Sequence, residues 1–399
     1  MTIAHSDPIV IVDGARTPMG GFQGDLASAT APELGTTSIR AALARAGISG
    51  ADVDEVIMGC VLAAGLKQAP ARQASLGAGI PEAAGCTTIN KMCGSGMKAI
   101  MFAHDLLLAG SNTIMVAGGL ESMSNAPYLL PKAREGLRMG HGEMKDHMFL
   151  DGLEDAYEPG KLMGHFAEKT ATHYQLTREA QDDFAITSLK RAQAAIAQGI
   201  FETEIEPVRL STRKGEIVIK DDEQPPKANL EKIRQLRPAF TKDGTVTAAN
   251  ASSISDGAAA VVMMRESEAI KRGLAPRARI LAHASHAQAP EWFTTAPVHA
   301  MEKLLAKLNK SPSDIDLFEI NEAFAVVTMA AMRELNLDHE KVNVYGGACA
   351  LGHPVGASGA RVIVTLMNAL ERHDLEHGIA SLCIGGGEAT AVAIQRISQ

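Results

Sequence analysis

The sequence predicts an α/β protein made of two similar halves, with a loop domain inserted between them. Three observations predict it. Segments reading as helix, polar turn and short apolar strand recur at a nearly constant offset: Asp52 and Asp314 lie 262 residues apart, as do Gly59 and Asn321, and Gly96 and Gly359 lie 263 apart. Each recurring segment joins apolar residues at helical spacing to a short apolar run, as expected of βαβ-type layers sharing buried helices. Residues 123–254 have no counterpart and are rich in charge, Pro and Gly, as in "PKAREGLRMGHGEMKDH". The expected division is 1–122 with 255–275 as the first half, 123–254 as the loop domain and 276–399 as the second half.

The elements follow in order. "APELGTTSIRAALARAGISGADVDEVIMG", from Ala31, reads as a helix, a D-V-D turn and a strand. "CGSGMKAIMFAHDLLLAGSNTIMVAGG", from Cys93, reads as a glycine turn, an amphipathic helix and a buried strand ending in a glycine pair. In the loop domain, "TREAQDDFAITSLKRAQAAIAQG" is a helix with Thr177 as N-cap, Glu179 in its first turn and Gly199 past its end. "APVHAMEKLLAKLNKSPSDIDLFEIN", from Ala296, repeats the Ala31 segment, and "GASGARVIVTLMNALERHDLEHGIASLCIGGG", from Gly356, repeats the Cys93 segment.

Composition narrows the class. The chain has 399 residues, 46% of them hydrophobic, and a formal net charge of −8. That charge, with no basic run, argues against nucleic acid as a partner. Five cysteines, an odd number without a CxxC pair, point to reduced thiols rather than disulfides or zinc. No signal peptide and no apolar run of membrane-spanning length are visible, so the expectation is a soluble cytoplasmic protein.

Four places carry chemistry. Cys93 precedes Gly94-Ser95-Gly96 at a helix start. The partial positive charge there is expected to lower its thiol pKa and make it a nucleophile; the plain alternative is an inert buried cysteine. His353 stands in "GGACALGHPVGASGAR", a loop with almost no reactive side chains. In the repeat, Gly352–Gly356 overlies the Cys93 turn, which places His353 near Cys93 as a base. Cys383 ends a strand before Gly385, Gly386 and Gly387, whose backbone N–H groups suit an oxyanion; alone it reads as core as readily as catalytic. Asn321 and Glu322 end another strand, where an amide can hold a water or cap a helix. A rival reading takes Gly94, Gly96 and Ala99 with Glu121 as a dinucleotide fingerprint. It leaves Cys93 and the second half unused, and Glu121 follows a glycine pair rather than closing a strand.

Together these stretches resemble the thiolase family, the acetyl-CoA acetyltransferases and 3-ketoacyl-CoA thiolases. The matches are the Cys93 segment, "NEAF" at 321–324, "GGACALGHPVGASG" at 346–359 and "CIGGG" at 383–387, with "GARTPMGGF", "LRPAF" and "TAANASSISDGAA" as further landmarks. The resemblance runs end to end. It implies the five-layered αβαβα thiolase fold and reversible Claisen condensation of two acetyl-CoA through an acyl-cysteine. It implies Cys93 as nucleophile, His353 as its base, Cys383 as the acid/base at the α-carbon, and Asn321 as positioner of an oxyanion-hole water. The N–H groups of Cys93 and Gly385 would form a second hole. Ser252 would meet the pantetheine arm, and Phe240, Met163 and Phe324 would line the pocket. CoA and acyl-CoA enter as substrates; no cofactor and no metal are expected. Segment 126–150 resembles the loop that joins dimers into a homotetramer. The sequence departs from the family's usual residues at Leu162, Pro226, Ser253 and Cys349. The competing functions are a thiolase for longer chains, a non-catalytic acyl-CoA or lipid carrier, and the dehydrogenase.

Overall fold

The computed structural model describes residues 7–213 and 215–398. Along the chain come β1 (Ile9–Arg16), α1 (Ala31–Ala46), β2 (Glu55–Gly59), α2 (Pro70–Gly77), β3 (Gly85–Ile89), α3 (Ser95–Ala109) and β4 (Ile114–Ser122). Helices α4 (Met163–His173) and α5 (Arg178–Ala197) follow. Strands β5 (Ser255–Arg265) and β6 (Ala278–Ala287) precede α6 (Ala296–Leu308), β7 (Leu317–Ile320), α7 (Ala325–Glu334), α8 (Val355–Arg372), β8 (His377–Ile384) and β9 (Glu388–Arg396).

Helix boundaries follow local chemistry. Thr30 and Glu33 form a capping box at the start of α1, and Gly47 ends that helix at a φ of 66°. Thr177 caps α5 by accepting the Ala180 N–H, and Gly199 turns left-handed beyond its end. Both signals of α5 were legible in the sequence.

The two halves have the same strand order. The first runs β3-β2-β4-β5-β1, with β2 parallel to both neighbours and β5 antiparallel to both of its own. The second runs β7-β8-β9-β6, again with one parallel pair and β9 antiparallel to its neighbours. Val342 bridges Phe318 in parallel where the first half has β3. A two-residue ladder, Val10 with Arg279 and Ile11 with Ala278, joins β1 to β6, so the sheets meet edge to edge there.

Alternation along the strands sorts side chains into layers. Ile9, Ile11, Val261 and Met263 face a central core with Met97, Ile100, Val362 and Ile363 of α3 and α8. Val10, Val12, Val262 and Met264 face the opposite side, against Leu34 and Ile39 of α1. In the second half, Leu382, Val392 and Ile394 point to the central core, while Ile379, Ala391 and Ala393 face Met301 and Leu304 of α6. Helices α3 and α8 thus lie between two sheets that are covered outside by α1 and α6, giving five layers.

Residues 123–254 are tied down by a buried charge cluster. Arg16 of β1 is fully buried; it donates to Glu204 at 2.5 Å and bidentately to Asp222 at 2.7 and 2.9 Å. Burial works against its charge, but the two carboxylates outweigh burial and raise its pKa. Glu204 also accepts from Thr365 and Asn368 of α8. Arg16→Met should leave two buried carboxylates unpaired and cost about 3–5 kcal/mol of stability. Urea unfolding checks this; a loss below about 1 kcal/mol contradicts the network's structural role.

Candidate active site

Cys93 lies in the turn between β3 and α3. Met92, just before it, holds a left-handed φ of 47°, a conformation costing about 1–3 kcal/mol for a non-glycine residue. The turn is held by Asn90, whose Oδ1 accepts the Met92 N–H at 2.9 Å, and by Ser95. The Ser95 hydroxyl accepts the Lys91 N–H at 2.8 Å and donates to the Met92 carbonyl at 2.6 Å.

The start of α8 comes to the same place because two glycines let the helices touch. A Cβ on Gly96 would sit 2.9 Å from the Ala360 nitrogen, and one on Gly359 would sit 2.3 Å from the Met97 nitrogen. These are the two glycines 263 residues apart in the repeat. The turns preceding both helices therefore open on one cavity of about 370 Å³. Cys93, His353, Gly385, Ser252, Met163, Phe240 and Phe324 all line it.

His353 is buried, and its ring is held at Nδ1. Ser358 Oγ lies 2.5 Å from that nitrogen and donates its own proton to the Pro354 carbonyl at 3.0 Å. The hydroxyl therefore accepts from Nδ1–H, and Nε2 carries the lone pair. Nε2 is buried without a hydrogen-bond partner in the protein. Burial, and then the charge of Arg361, lower the His353 pKa to about 3. The imidazole is neutral across the physiological range and is available as a proton acceptor.

Asn321 is fully buried at the end of β7, with Nδ2 3.4 Å from His353 Nδ1 and Oδ1 3.5 Å from Arg361 Nη2. Arg361 is itself clamped by Glu319 at 2.7 Å. Ser252 reaches the cavity because Ala251 bridges Phe324 and the Ser252 N–H donates to the Ala323 carbonyl at 2.9 Å. Phe240 and Phe324 meet edge to face, with centroids 6.0 Å apart. Gly164 leaves room for the Phe240 ring, which a Cβ would approach to 2.3 Å.

The expected lowering of the Cys93 pKa is corrected by the structure. Burial pushes the thiol up to about 11, although the N–H groups of Gly385 and of Cys93 itself favour the thiolate. The helix start does supply a favourable field, but apolar walls of Met163, Phe240 and Phe324, none near in sequence, remove more solvation than it restores. The resting pair is thus a neutral thiol and a neutral imidazole. Cys93 alkylation by iodoacetamide should rise about tenfold per pH unit between about pH 7 and pH 10. A plateau below about pH 8 in peptide-mapped rates would contradict this.

Cys383, at the end of β8, is fully buried in an apolar cluster with Phe166, Phe293, Phe324 and Ala323. Burial raises its pKa well above the usual thiol value, and the nearby charge of Cys93 raises it further. Two N–H groups, those of Gly385 and Cys93, donate toward the Cys93 sulfur, beside which the oxygen of an acyl group on Cys93 would lie.

Several groups hold this arrangement in roles that the sequence reading did not give them. Glu121 closes strand β4, contrary to the expectation that it lies beyond one. Its carboxylate accepts from the N–H groups of Val61, Leu62 and Gly356 at 2.9, 3.1 and 2.9 Å, and burial raises its pKa to about 7. Fully enclosed, it cannot meet a ribose, which removes the dinucleotide reading. Glu322 accepts from Ser188, Asn343 and the Cys349 N–H, pinning the loop that leads to His353. Ser253, one of the family departures, accepts from Gln224 Nε2 at 2.5 Å. The signal available in the sequence was a lone charge in an apolar element: Glu319 in "LFEI" and Arg361 in "GARVIV".

Comparison with known proteins gives the same assignment at full length. The profile of the thiolase N-terminal domain matches residues 9–267 and that of the thiolase C-terminal domain matches 274–396. The acetyl-CoA acetyltransferase of Escherichia coli is 51% identical over 392 residues, covering 98% of this chain and 99% of that protein. The acetyl-CoA acetyltransferase of Thiocystis violacea is 49% identical over 394 residues, 98% and 100% of the two chains. The crystal structure of the Bacillus anthracis acetyl-CoA acetyltransferase superposes with a TM-score of 0.95 at 42% identity, covering 98% and 99%. That of Acat5 thiolase from Ascaris suum in complex with coenzyme A superposes with a TM-score of 0.92 at 42% identity, covering 98% and 100%.

Proposed function

This chain belongs to the thiolase family, and on that premise we propose that it is an acetyl-CoA C-acetyltransferase, condensing two acetyl-CoA to acetoacetyl-CoA and CoA and running the reverse thiolysis. One observation carries the reading: Cys93, the unpartnered Nε2 of His353 and the Gly385 N–H meet at one cavity, with Cys383 close enough to feel the charge on Cys93.

The geometry suits each step. The Cys93 proton passes to His353 Nε2 as the sulfur attacks the acetyl-CoA carbonyl. The tetrahedral intermediate collapses, CoA leaves with the proton from His353, and the acetyl group stays on Cys93 as a thioester. The Gly385 and Cys93 N–H groups hold its oxygen, one such donor being worth about 10²–10³ in rate. Cys383 passes its own proton to the freed His353 and, as thiolate, takes an α-proton from the second acetyl-CoA, while Asn321 with a water and His353 stabilise the enolate oxygen. The carbanion attacks the acetyl carbonyl and expels the Cys93 sulfur, which recovers a proton from His353.

CoA has a place beside this cavity. A more polar cavity of about 440 Å³ adjoins it at Ala248 and carries Lys227 and Lys232. Lys227 is paired with Asp25 and Glu223, which leaves Lys232 to meet a phosphate. Lys232→Ala should raise the KM for CoA about three- to tenfold with kcat unchanged, because a contact made equally in ground and transition states changes KM alone. An unchanged KM contradicts this placement of the nucleotide end.

The function itself is tested by thiolysis of acetoacetyl-CoA, followed as loss of its enolate absorbance, with a chain-length series alongside. Highest kcat/KM on the four-carbon substrate supports the acetyl reading; a maximum at longer chains makes the protein a 3-ketoacyl-CoA thiolase. Turnover of none of them by folded protein leaves the carrier reading. Among the described residues no helix is long and apolar enough to cross a membrane. The five cysteines are unpaired, which supports a cytoplasmic setting. Tyr128, Leu130, Leu137, Met139 and Met144 are exposed along 126–150, which supports assembly through that segment into a homotetramer.

A further inference from the structure

We propose that His104, Asp105 and His283 form a site for a divalent transition-metal ion, zinc the best fit, that ties helix α3 to strand β6 away from the acyl-transfer cavity. Acyl transfer does not call for such an ion, and only the fold brings His283 to the neighbouring pair His104–Asp105: Asp105 and His283 are 178 positions apart.

The ligand atoms converge. Nδ1 of His104 lies 3.0 Å from Asp105 Oδ1, and Nε2 of His283 lies 2.8 Å from that same oxygen. All three ligand atoms fall within 4.8 Å of one another. Zinc bonded at about 2.0–2.1 Å to nitrogen and oxygen ligands spaces them by roughly 3.3 Å in tetrahedral geometry. Two of the three separations are therefore already near that value, and the third is no more than 4.8 Å. The rings stand edge to face, centroids 5.0 Å apart and 88° between planes, and each directs one nitrogen at the same Asp105 oxygen.

The chemistry of the set selects the ion. Two imidazoles and one carboxylate suit zinc, cobalt or nickel better than calcium or magnesium, which prefer all-oxygen shells. Burial disfavours the Asp105 anion, yet the two imidazoles hold its pKa below the usual range, so it is charged at neutral pH. Its side chain is 54% exposed, against 11% for His104 and 17% for His283. The exposed carboxylate leaves an entry path and room for water as a fourth ligand. Two cations stand close: Lys307 donates to the His283 carbonyl at 2.8 Å, and Lys98 interacts with Asp105. They weaken the site, so micromolar rather than nanomolar affinity is expected.

Position gives the ion its effect. Asp105 lies about three turns along α3 from Cys93, roughly 17 Å at the helical rise. A bound ion would fasten the far end of α3 to the second half without touching the reacting atoms.

The test uses the full-length protein, stripped with chelator and alkylated at its accessible thiols, titrated with zinc by calorimetry and with cobalt by absorption. One equivalent per chain should bind, with cobalt bands lacking thiolate charge transfer and a melting temperature raised by the metal. His283→Ala should bind about a hundredfold more weakly and lose the thermal shift, while keeping, in unalkylated samples, the metal-free acetyl-transfer activity of the parent. Asp105→Asn, altering an exposed side chain, provides the same reading should His283→Ala fold poorly. Equal binding by parent and variants, no binding by the parent, or a thiolate-type cobalt spectrum overturns the proposal.

Discussion

Cys93→Ala is expected to lose acetyl transfer by about 10⁵-fold or more, in both directions, while still binding CoA with nearly the parent affinity. The size follows from what the sulfur does. In the proposed mechanism it makes the bond that stores the acetyl group, and no other thiol among the described residues lines the cavity with His353. Cys60 is buried against Glu121, and Cys349 is half-buried with its sulfur against the Glu322 carbonyl. In the proposed placement the CoA arm meets Ser252 and the adjoining polar cavity, so truncation at Cys93 removes chemistry and leaves binding. Steady-state kinetics with CoA titration checks both halves of the expectation. Turnover within tenfold of the parent would remove Cys93 from the mechanism.

Cys383→Ala is expected to separate the two half-reactions. Cys93 should still be acetylated by acetyl-CoA at close to the parent rate, because His353 Nε2 and the Gly385 N–H are untouched. Condensation should fall by about 10³–10⁴, the worth of a positioned acid/base at a weakly acidic carbon. The fall is in kcat, since Cys383, buried in the cluster with Phe324, acts on the α-proton and contributes little to binding. Packing is only mildly affected by losing one sulfur there, at about 1–2 kcal/mol. Single-turnover acylation and steady-state condensation, measured on the same preparation, distinguish the steps. Equal losses in both would contradict the division of labour between the thiols.

Much of the fold was legible because the duplication is written in glycines. Gly96 and Gly359 recur at a fixed offset because α3 and α8 cross backbone to backbone there, and the same contact sets Cys93 beside His353. Strand alternation and caps at Thr30, Thr177 and Gly199 are local, and local signals survive in a sequence. The edge ladder between β1 and β6 is not local; it depends on how two sheets meet around shared helices.

In the site, reactive side chains were more legible than their surroundings. Cys93, His353, Asn321 and Cys383 stand out because each chemical type sits in a glycine-rich or apolar setting. The direction of the Cys93 pKa shift was misjudged because the helix start is visible in "CGSGMKA" while the covering wall comes from Met163, Phe240 and Phe324. The tautomer of His353 depends on where the Ser358 proton goes, which only coordinates reveal. Glu319 and Arg361 form an ion pair 42 residues apart whose meaning lies in the neutral histidine and the oriented amide beside it. The His104–Asp105–His283 cluster draws on both halves and carries no spacing that sequence could disclose.

The central claim is that one sulfur, served by His353, holds the acetyl group between two CoA molecules. Peptide mass mapping of acid-quenched protein, mixed for milliseconds with acetyl-CoA, tests it most directly. The account predicts a single acetyl group on the peptide containing Cys93, accumulating further in Cys383→Ala and nearly absent in His353→Ala. Acetylation at another cysteine, or turnover with no covalent acetyl at any time, would contradict it.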